Sequence, residues 1–184
     1  MSTFPADPPG KAQDGVGDPG AFGRLWTPHR MAYIDAGGVK ADDRCPFCHI
    51  PELSDEDALI VFRGAGSYVV LNLYPYNPGH LMVVPYRHVA GYEELDEAEA
   101  NEIAALTQTA IRALHTASGP GGFNVGMNLG SIAGAGIAAH LHQHIVPRWG
   151  GDTNFMPVIG VTRVLPQLLA DTRERIVAAW PHPG

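Results

Sequence analysis

The sequence contains few cysteines and few lysines, and none of its apolar runs is long. Its 184 residues include two cysteines, Cys45 and Cys48, and two lysines, Lys11 and Lys40. A single close pair of cysteines does not make a disulfide framework. The apolar runs are far too short to cross a bilayer, and the first residues lack an apolar signal segment. These absences predict a cytoplasmic protein with no membrane partner.

Positive charge is also scarce. The formal net charge is −7, because 12 lysines and arginines stand against 19 acidic residues. Proteins that bind nucleic acid normally carry a basic surface, so we expect no nucleic-acid partner. An anionic substrate would instead be held by arginines, histidines, backbone N–H groups or a metal ion.

The length and the 45% hydrophobic fraction suit one folded domain. Residues 1–23 are rich in proline, glycine, aspartate and alanine without apolar periodicity, which predicts a disordered tail. Residues 24–44 are more apolar and predict an N-terminal arm. The domain is therefore expected to span residues 24–184, with the arm at its start.

Periodicity predicts an α+β fold in which short antiparallel strands pack against two helices. Glycines at 64–66 suit a hairpin, and Pro78-Gly79 suits a tight turn. A capping pattern at Asp96 and Glu99 opens the first helix. Strands are predicted at 58–63, 67–73, 80–85, 123–128 and 139–146, and helices from residue 96 to about 117 and from about 164 to 179.

Three histidines, His140, His142 and His144, occupy alternate positions near the end of the chain. In a β-strand they would share one face, at steps of roughly 6.5 to 7 Å. That spacing favours action on one substrate over a single three-histidine metal site. A lone strand histidine is usually just solvated or hydrogen-bonded, but three in alternation predict an active-site strand.

A glycine-rich loop, residues 128–140, precedes these histidines. Around Gly134-Ala135-Gly136 no large side chain prevents backbone N–H groups from approaching an anion. Such loops are often simple turns, but next to a histidine row this one predicts a phosphate-binding segment. It contains no lysine, so it is not a Walker-type phosphate loop.

Cys45-Pro-Phe-Cys48 has a spacing typical of metal or redox sites. A thioredoxin-like role would place the pair at a helix start after a buried strand, whereas here a polar stretch precedes it. The segment therefore favours metal binding over redox chemistry or a coincidental pair.

The run His140-Leu-His-Gln-His-Ile-Val resembles the signature of the histidine triad superfamily of nucleotide hydrolases and transferases. Residues 71–72, 77–85 and 128–130 resemble other family segments, so the resemblance covers roughly 45–150. It implies a five-stranded antiparallel half-barrel with a long helix and a C-terminal helix.

The resemblance also implies residue roles. His142 would attack the α-phosphorus of a nucleotide and form a nucleotidyl-imidazole intermediate. His144 would contact the phosphoryl oxygens, His80 would orient the site, and Asn72 would hold the ribose. The other implied substrate-binding residues are Asn128, Ser131, Gly134, Ala135 and Gly136.

The third histidine argues against the hexose-1-phosphate uridylyltransferase branch, which has glutamine there. Pro147-Arg148 resembles the dinucleoside polyphosphate branch. The longer runs 25–34 and 140–157 resemble members of this branch, and that resemblance implies cleavage of diadenosine tetraphosphate by inorganic phosphate to ATP and ADP. A serine or threonine is expected near the motif in a phosphate-accepting enzyme, but Gly136 stands there. Water as acceptor, and a sensor that binds AMP-like nucleotides without turnover, are the alternatives.

Several branches of the superfamily bind structural zinc. The matching positions in this chain are Cys45, Cys48, His88 and His140, whose nitrogen and sulfur donors suit a closed tetrahedral site. His49 is a competing ligand. The resemblance implies no organic cofactor, and it implies a homodimer or a larger homo-oligomer.

Overall fold

The computed structural model describes residues 45–152 and 167–181. The predicted tail at 1–23, the arm at 24–44 and the predicted start of the final helix near residue 164 lie outside these ranges. Within them, the α+β prediction is confirmed.

Five antiparallel strands form one sheet. They are β1 (Ile60–Arg63), β2 (Ser67–Leu71), β3 (Leu81–Pro85), β4 (Gly122–Met127) and β5 (Gln143–Arg148). Their order across the sheet is β1-β2-β3-β5-β4, and every neighbouring pair is antiparallel. The strand that carries the last triad histidine therefore lies between β3 and β4.

Among residues 45–152 and 167–181, three α-helices accompany the sheet: α1 (Pro46–His49), α2 (Glu97–Ser118) and α3 (Leu169–Ala178). The predicted capping box is present, because Asp96 accepts from the N–H of Glu99 while the Glu99 carboxylate accepts from the N–H of Asp96. Gly119, in the left-handed conformation at φ 57°, ends α2. In the ranges that the structure covers, no helix is long and apolar enough to span a membrane.

Both faces of the central strands β2 and β3 are buried, and each face has its own core. Helices α2 and α3 cover one face, where alternate residues of the central strands pack against Leu114 and Ile176. On the opposite face, Phe47 of α1 packs with the other set of alternating residues, including Tyr68 and Met82. The candidate functional site lies on this second face, because Met82 is the register partner of His144.

The prediction of a strand from 139 to 146 is wrong at its start, since β5 begins at Gln143. Pairing between β3 and β5 stops at Val83 and Gln143. Farther along β3, Pro85 has no N–H and cannot donate a hydrogen bond to the segment before β5. The N–H of Leu141 donates instead to the carbonyl of Val89, 2.6 Å away. His140 and His142 therefore lie on a segment leading into the strand, where side chains need not follow strand alternation.

The strand predicted at 67–73 is also shorter, because β2 ends at Leu71. The N–H of Asn72 still donates to the carbonyl of His80 at 2.9 Å, which closes the connection between β2 and β3. Gly79 has a φ of 76°, and a Cβ there would lie 3.0 Å from Leu114. The predicted tight turn at Pro78-Gly79 therefore requires glycine at its second position.

Candidate active site and metal centre

His142 lies at the centre of the site, buried and in contact with two other rings. Its imidazole is 6% exposed. The ring centroid of His144 is 4.8 Å away, nearly perpendicular, and that of Phe47 is also 4.8 Å away. Of the three triad histidines, only His144 belongs to β5. The three do not act as equivalent members of one row.

A backbone hydrogen bond fixes the protonation pattern of His142. Its Nδ1 lies 2.9 Å from the carbonyl oxygen of His140, and a carbonyl only accepts, so Nδ1 must carry the proton. Burial lowers the pKa of His142 below its usual value, although the bond to the carbonyl opposes this shift. The ring is therefore neutral near pH 7, and its lone pair is at Nε2. An unprotonated imidazole nitrogen is what nucleophilic attack requires.

A second chain of hydrogen bonds links His80 to His144. The N–H of Tyr76 donates to Nδ1 of His80 at 3.1 Å, so His80 carries its proton on Nε2. That Nε2 lies 2.9 Å from Nδ1 of His144 and donates to it. His144 consequently has its own proton on Nε2. In this arrangement His144 is a hydrogen-bond donor, which suits contact with a negatively charged phosphoryl oxygen.

Asn72 lies next to this chain, but its amide is already engaged. Its Oδ1 accepts from the N–H of Tyr74 at 2.9 Å, and its Nδ2 lies 3.4 Å from Nδ1 of His80. The oxygen keeps a second lone pair, so one further donor such as a ribose hydroxyl can bind there. Asn72 therefore lies beside the histidines.

The glycine-rich loop is more internally bonded than the sequence suggested. The N–H of Gly134 donates to the carbonyl of Ser131, and the N–H of Ala135 donates to the carbonyl of Gly130. Asn128 donates its amide to the carbonyl of Gly134 at 3.5 Å. An N–H that already donates within the loop is not free for a phosphate oxygen. The predicted phosphate contacts at Gly134 and Ala135 therefore require a rearrangement of the loop, whereas Ser131 and Gly136 are exposed.

The four residues that the family resemblance implies as metal ligands lie together in space. The ligand atoms of Cys45, Cys48, His88 and His140 all lie within 4.8 Å of one another. Nδ1 of His140 is 3.3 Å from Sγ of Cys45 and 3.5 Å from Sγ of Cys48. Nδ1 of His88 is 3.2 Å from Sγ of Cys48. The competing candidate His49 pairs with Glu52 at 2.8 Å instead.

These distances fit a tetrahedral ion. With Zn–S near 2.3 Å and Zn–N near 2.05 Å, sulfur and nitrogen ligands are expected roughly 3.6 Å apart. His140 meets a further requirement, because its Nε2 donates to the carbonyl of Pro85 at 2.9 Å and leaves Nδ1 unprotonated. A hydrogen bond from the second ring nitrogen to a carbonyl is typical of metal-binding histidines. Burial also lowers the pKa of His140, which keeps the ring neutral. The four residues could therefore hold a metal ion.

Sequence reasoning missed three supporting contacts. Phe47, between the cysteines, packs its ring against His142, and Tyr76 packs its ring against His80 at a centroid distance of 4.9 Å. Gln143 lies between His142 and His144. Its amide donates to the hydroxyl of Thr107 on α2, which ties the triad segment to the long helix. The signal available for this last contact was a polar Gln143 at a position that alternates with the apolar Leu141 and Ile145.

Comparison with known proteins places the chain in a family. The model of the HIT domain matches residues 54–151, so the chain belongs to the HIT domain family. The solved structure of a histidine triad nucleotide-binding protein from Sulfolobus tokodaii has a TM-score of 0.60 and 26% identity, over 73% of this chain and 91% of that chain. The fold thus agrees with that of its structural neighbours.

A protein of Mycobacterium tuberculosis named AP-4-A phosphorylase is 54% identical over 172 residues, which cover 90% of this chain and 88% of that protein. The adenosine 5'-monophosphoramidase hnt1 of Schizosaccharomyces pombe is 32% identical over 56% of this chain and 74% of its own length. A zinc-bound histidine triad family protein from Mycobacterium smegmatis shares the fold, with a TM-score of 0.60 and 24% identity over 73% of this chain and 91% of that chain. The relatives include enzymes that act on adenine nucleotides.

Proposed function

We propose that this protein cleaves diadenosine tetraphosphate by transferring an adenylyl group through His142 to inorganic phosphate. The observation that supports this proposal most strongly is the buried, neutral His142, whose proton is held on Nδ1 by the carbonyl of His140. The mycobacterial relative, which shares 54% of its residues over most of both chains, is named for phosphorolysis of this substrate.

In the first step, Nε2 of His142 forms a bond to the α-phosphorus, and the bond from that phosphorus to the bridging oxygen breaks. ATP leaves with the electron pair of that bond, and AMP remains joined to the imidazole. In the second step, a phosphate oxygen attacks the same phosphorus and the bond to Nε2 breaks. ADP is released and the neutral ring is restored. Water as acceptor would give AMP in place of ADP.

His144 assists both displacements by donating from its Nε2–H to a phosphoryl oxygen. This donor is stronger toward a developing negative charge than toward the ground state. His80 orients His144 through their 2.9 Å hydrogen bond. We assign Asn72 to the ribose, and the loop of Asn128, Ser131 and residues 134–136 to the phosphate chain. The occupied N–H groups of Gly134 and Ala135 imply that this loop rearranges when substrate binds.

Zinc is the metal that we propose for the Cys45, Cys48, His88 and His140 centre, because two thiolates and two imidazoles form the donor set that zinc prefers. The ion would link α1 to the segment that carries His140, and it would stabilise the fold. It takes no part in the transfer. Metal analysis of the purified protein checks this assignment, with one zinc per chain as the expected result.

Product analysis tests the proposed reaction. Incubation with diadenosine tetraphosphate and phosphate should give equal amounts of ATP and ADP, and without phosphate cleavage should stop once each active site has released one ATP. A His142→Asn variant should bind the substrate without cleaving it. ATP with AMP, formed without phosphate, would assign the protein as a hydrolase. Nucleotide binding without any turnover would instead indicate a sensor.

A further inference from the structure

The segment Cys45–Cys48 does more than supply two candidate metal ligands, because it also carries the aromatic ring that touches the proposed nucleophile. Phe47 lies between the cysteines and is 4% exposed. Its ring centroid is 4.8 Å from that of His142, at an interplanar angle of 45°. The same ring meets the edge of His140 at 5.6 Å. One side chain thus packs against both the nucleophile and a candidate metal ligand.

Phe47 is itself held in place. Its carbonyl accepts a hydrogen bond from the hydroxyl of Tyr68 at 2.8 Å, and Tyr68 is fully buried on β2. The cysteines on either side are fixed by the N–H of Cys48, which donates to the carbonyl of Cys45 at 3.1 Å, and by their proximity to the ring of His140. A rigidly held ring limits the positions that a neighbouring ring can adopt.

Besides the ring of His144, two contacts restrain His142, and both come from residues at the candidate metal centre. Residue His140 supplies the carbonyl that binds Nδ1, and the segment between the cysteines supplies the ring that packs against the imidazole. The hydrogen bond selects the tautomer, whereas the Phe47 ring restricts rotation of the imidazole about its side-chain bonds. Both restraints are needed to keep Nε2 pointing in one direction.

We infer that Phe47 is a positioning residue for the proposed nucleophile His142, and that the Cys45–Cys48 segment presents it. This inference deepens the proposed function, on which its kinetic part rests. It assigns the four-residue helix α1 a role in the reaction in addition to stability. The Phe47 ring acts only by positioning His142 and takes no part in a chemical step.

The test replaces Phe47 by leucine, which keeps an apolar side chain but removes the flat ring. We expect kcat with diadenosine tetraphosphate to fall about 10- to 100-fold while KM changes little, because the nucleophile is misaligned rather than the substrate lost. Metal content should stay at the wild-type level. The matched control is Ile60→Ala, which opens a cavity in the same core on β1, separated from β5 by two strands.

A second readout does not depend on turnover. In protein labelled with ¹⁵N-histidine, the imidazole signals of wild-type His142 should show a proton on Nδ1. In F47L the ring is free to rotate away from the His140 carbonyl, so the signals should show a mixture of tautomers. Tyr68→Phe removes only the hydroxyl that holds the Phe47 carbonyl, and should give a smaller change in the same direction. It serves in place of F47L should that variant not fold.

Three results would overturn the inference. One is an unchanged kcat in folded F47L with an unchanged His142 spectrum. Another is an equal loss of kcat in Ile60→Ala, which would show a general effect of core packing. The third is a rise in KM alone, which would make Phe47 a substrate contact. Absence of cleavage by the wild-type protein would instead refute the proposed function, and the ¹⁵N spectra would still decide the restraint on His142.

Discussion

Replacing His80 by asparagine or by glutamine separates two of the hydrogen bonds that this fully buried ring makes. Nδ1 of His80 accepts from the N–H of Tyr76, and Nε2 donates to His144. The amide of asparagine reaches the position of Nδ1, and its oxygen can accept from Tyr76. The amide of glutamine reaches the position of Nε2, and its nitrogen can donate to His144. Each variant therefore keeps one bond and loses the other.

His80→Asn should lose mainly activity, whereas His80→Gln should lose mainly stability. His80→Asn leaves His144 without the donor that fixes its tautomer, and loss of one hydrogen bond of about 1.4 kcal/mol in the transition state lowers kcat about tenfold. His80→Gln keeps that donor and should retain most activity. It leaves the N–H of Tyr76 without its acceptor, which costs about 1 kcal/mol of unfolding free energy.

The assays are steady-state cleavage of diadenosine tetraphosphate and urea unfolding of the same preparations. The reasoning is refuted if His80→Asn is as active as the wild type, since the orientation of His144 would then not depend on His80. The reasoning is also refuted if His80→Gln cleaves the substrate more slowly than His80→Asn and unfolds at the same urea concentration as the wild type.

Three further perturbations test other parts of the account. Cys48→Ser should reduce bound metal and lower the thermal unfolding midpoint, and dialysis of wild-type protein against a chelator should do the same; unchanged metal content would count against the centre. Thr107→Val should cost about 1 to 3 kcal/mol by leaving the Gln143 amide without its acceptor, and adding Gln143→Leu should recover part of that loss in urea unfolding. Glu99→Gln retains the capping-box acceptor but loses the ion pair with Arg87, which lowers the pKa of Glu99 to about 2. Because the folded pKa lies below the unfolded one, the ion pair stabilises above about pH 4.3 and the benefit disappears toward pH 2; the variant should unfold at lower urea concentration at pH 7 and match the wild type near pH 2.

Local patterns were sufficient to predict most of the described fold. The capping residues of α2, the hairpin glycines and the tight turn at Gly79 act within a few residues, so their consequences can be read directly from the sequence. The start of β5 could not be predicted in this way. It depends on Pro85, which lies far away in the chain and ends the ladder by lacking an N–H.

The same distinction between local patterns and contacts across the fold applies to the candidate site. Histidines in alternation and the Cys-x-x-Cys spacing are visible in the sequence, and the structure brings the four candidate metal ligands together. The protonation pattern was not predictable, because it depends on tertiary contacts such as the Tyr76 N–H on His80. The contact of Phe47 with His142 joins residues about half the chain apart, and an aromatic residue near cysteines carries no sign of it. The expected homo-oligomer stays a prediction.

The central claim is that an adenylyl group is bonded to His142 during turnover. The most direct measurement mixes enzyme with diadenosine tetraphosphate in the absence of phosphate, quenches in alkali and locates the modification by mass spectrometry of peptides. We predict one AMP on the peptide that contains His142, no modification in His142→Asn, and conversion of the trapped group to ADP when phosphate is added before the quench. Adenylylation of another residue, or full cleavage activity in His142→Asn, would contradict the account.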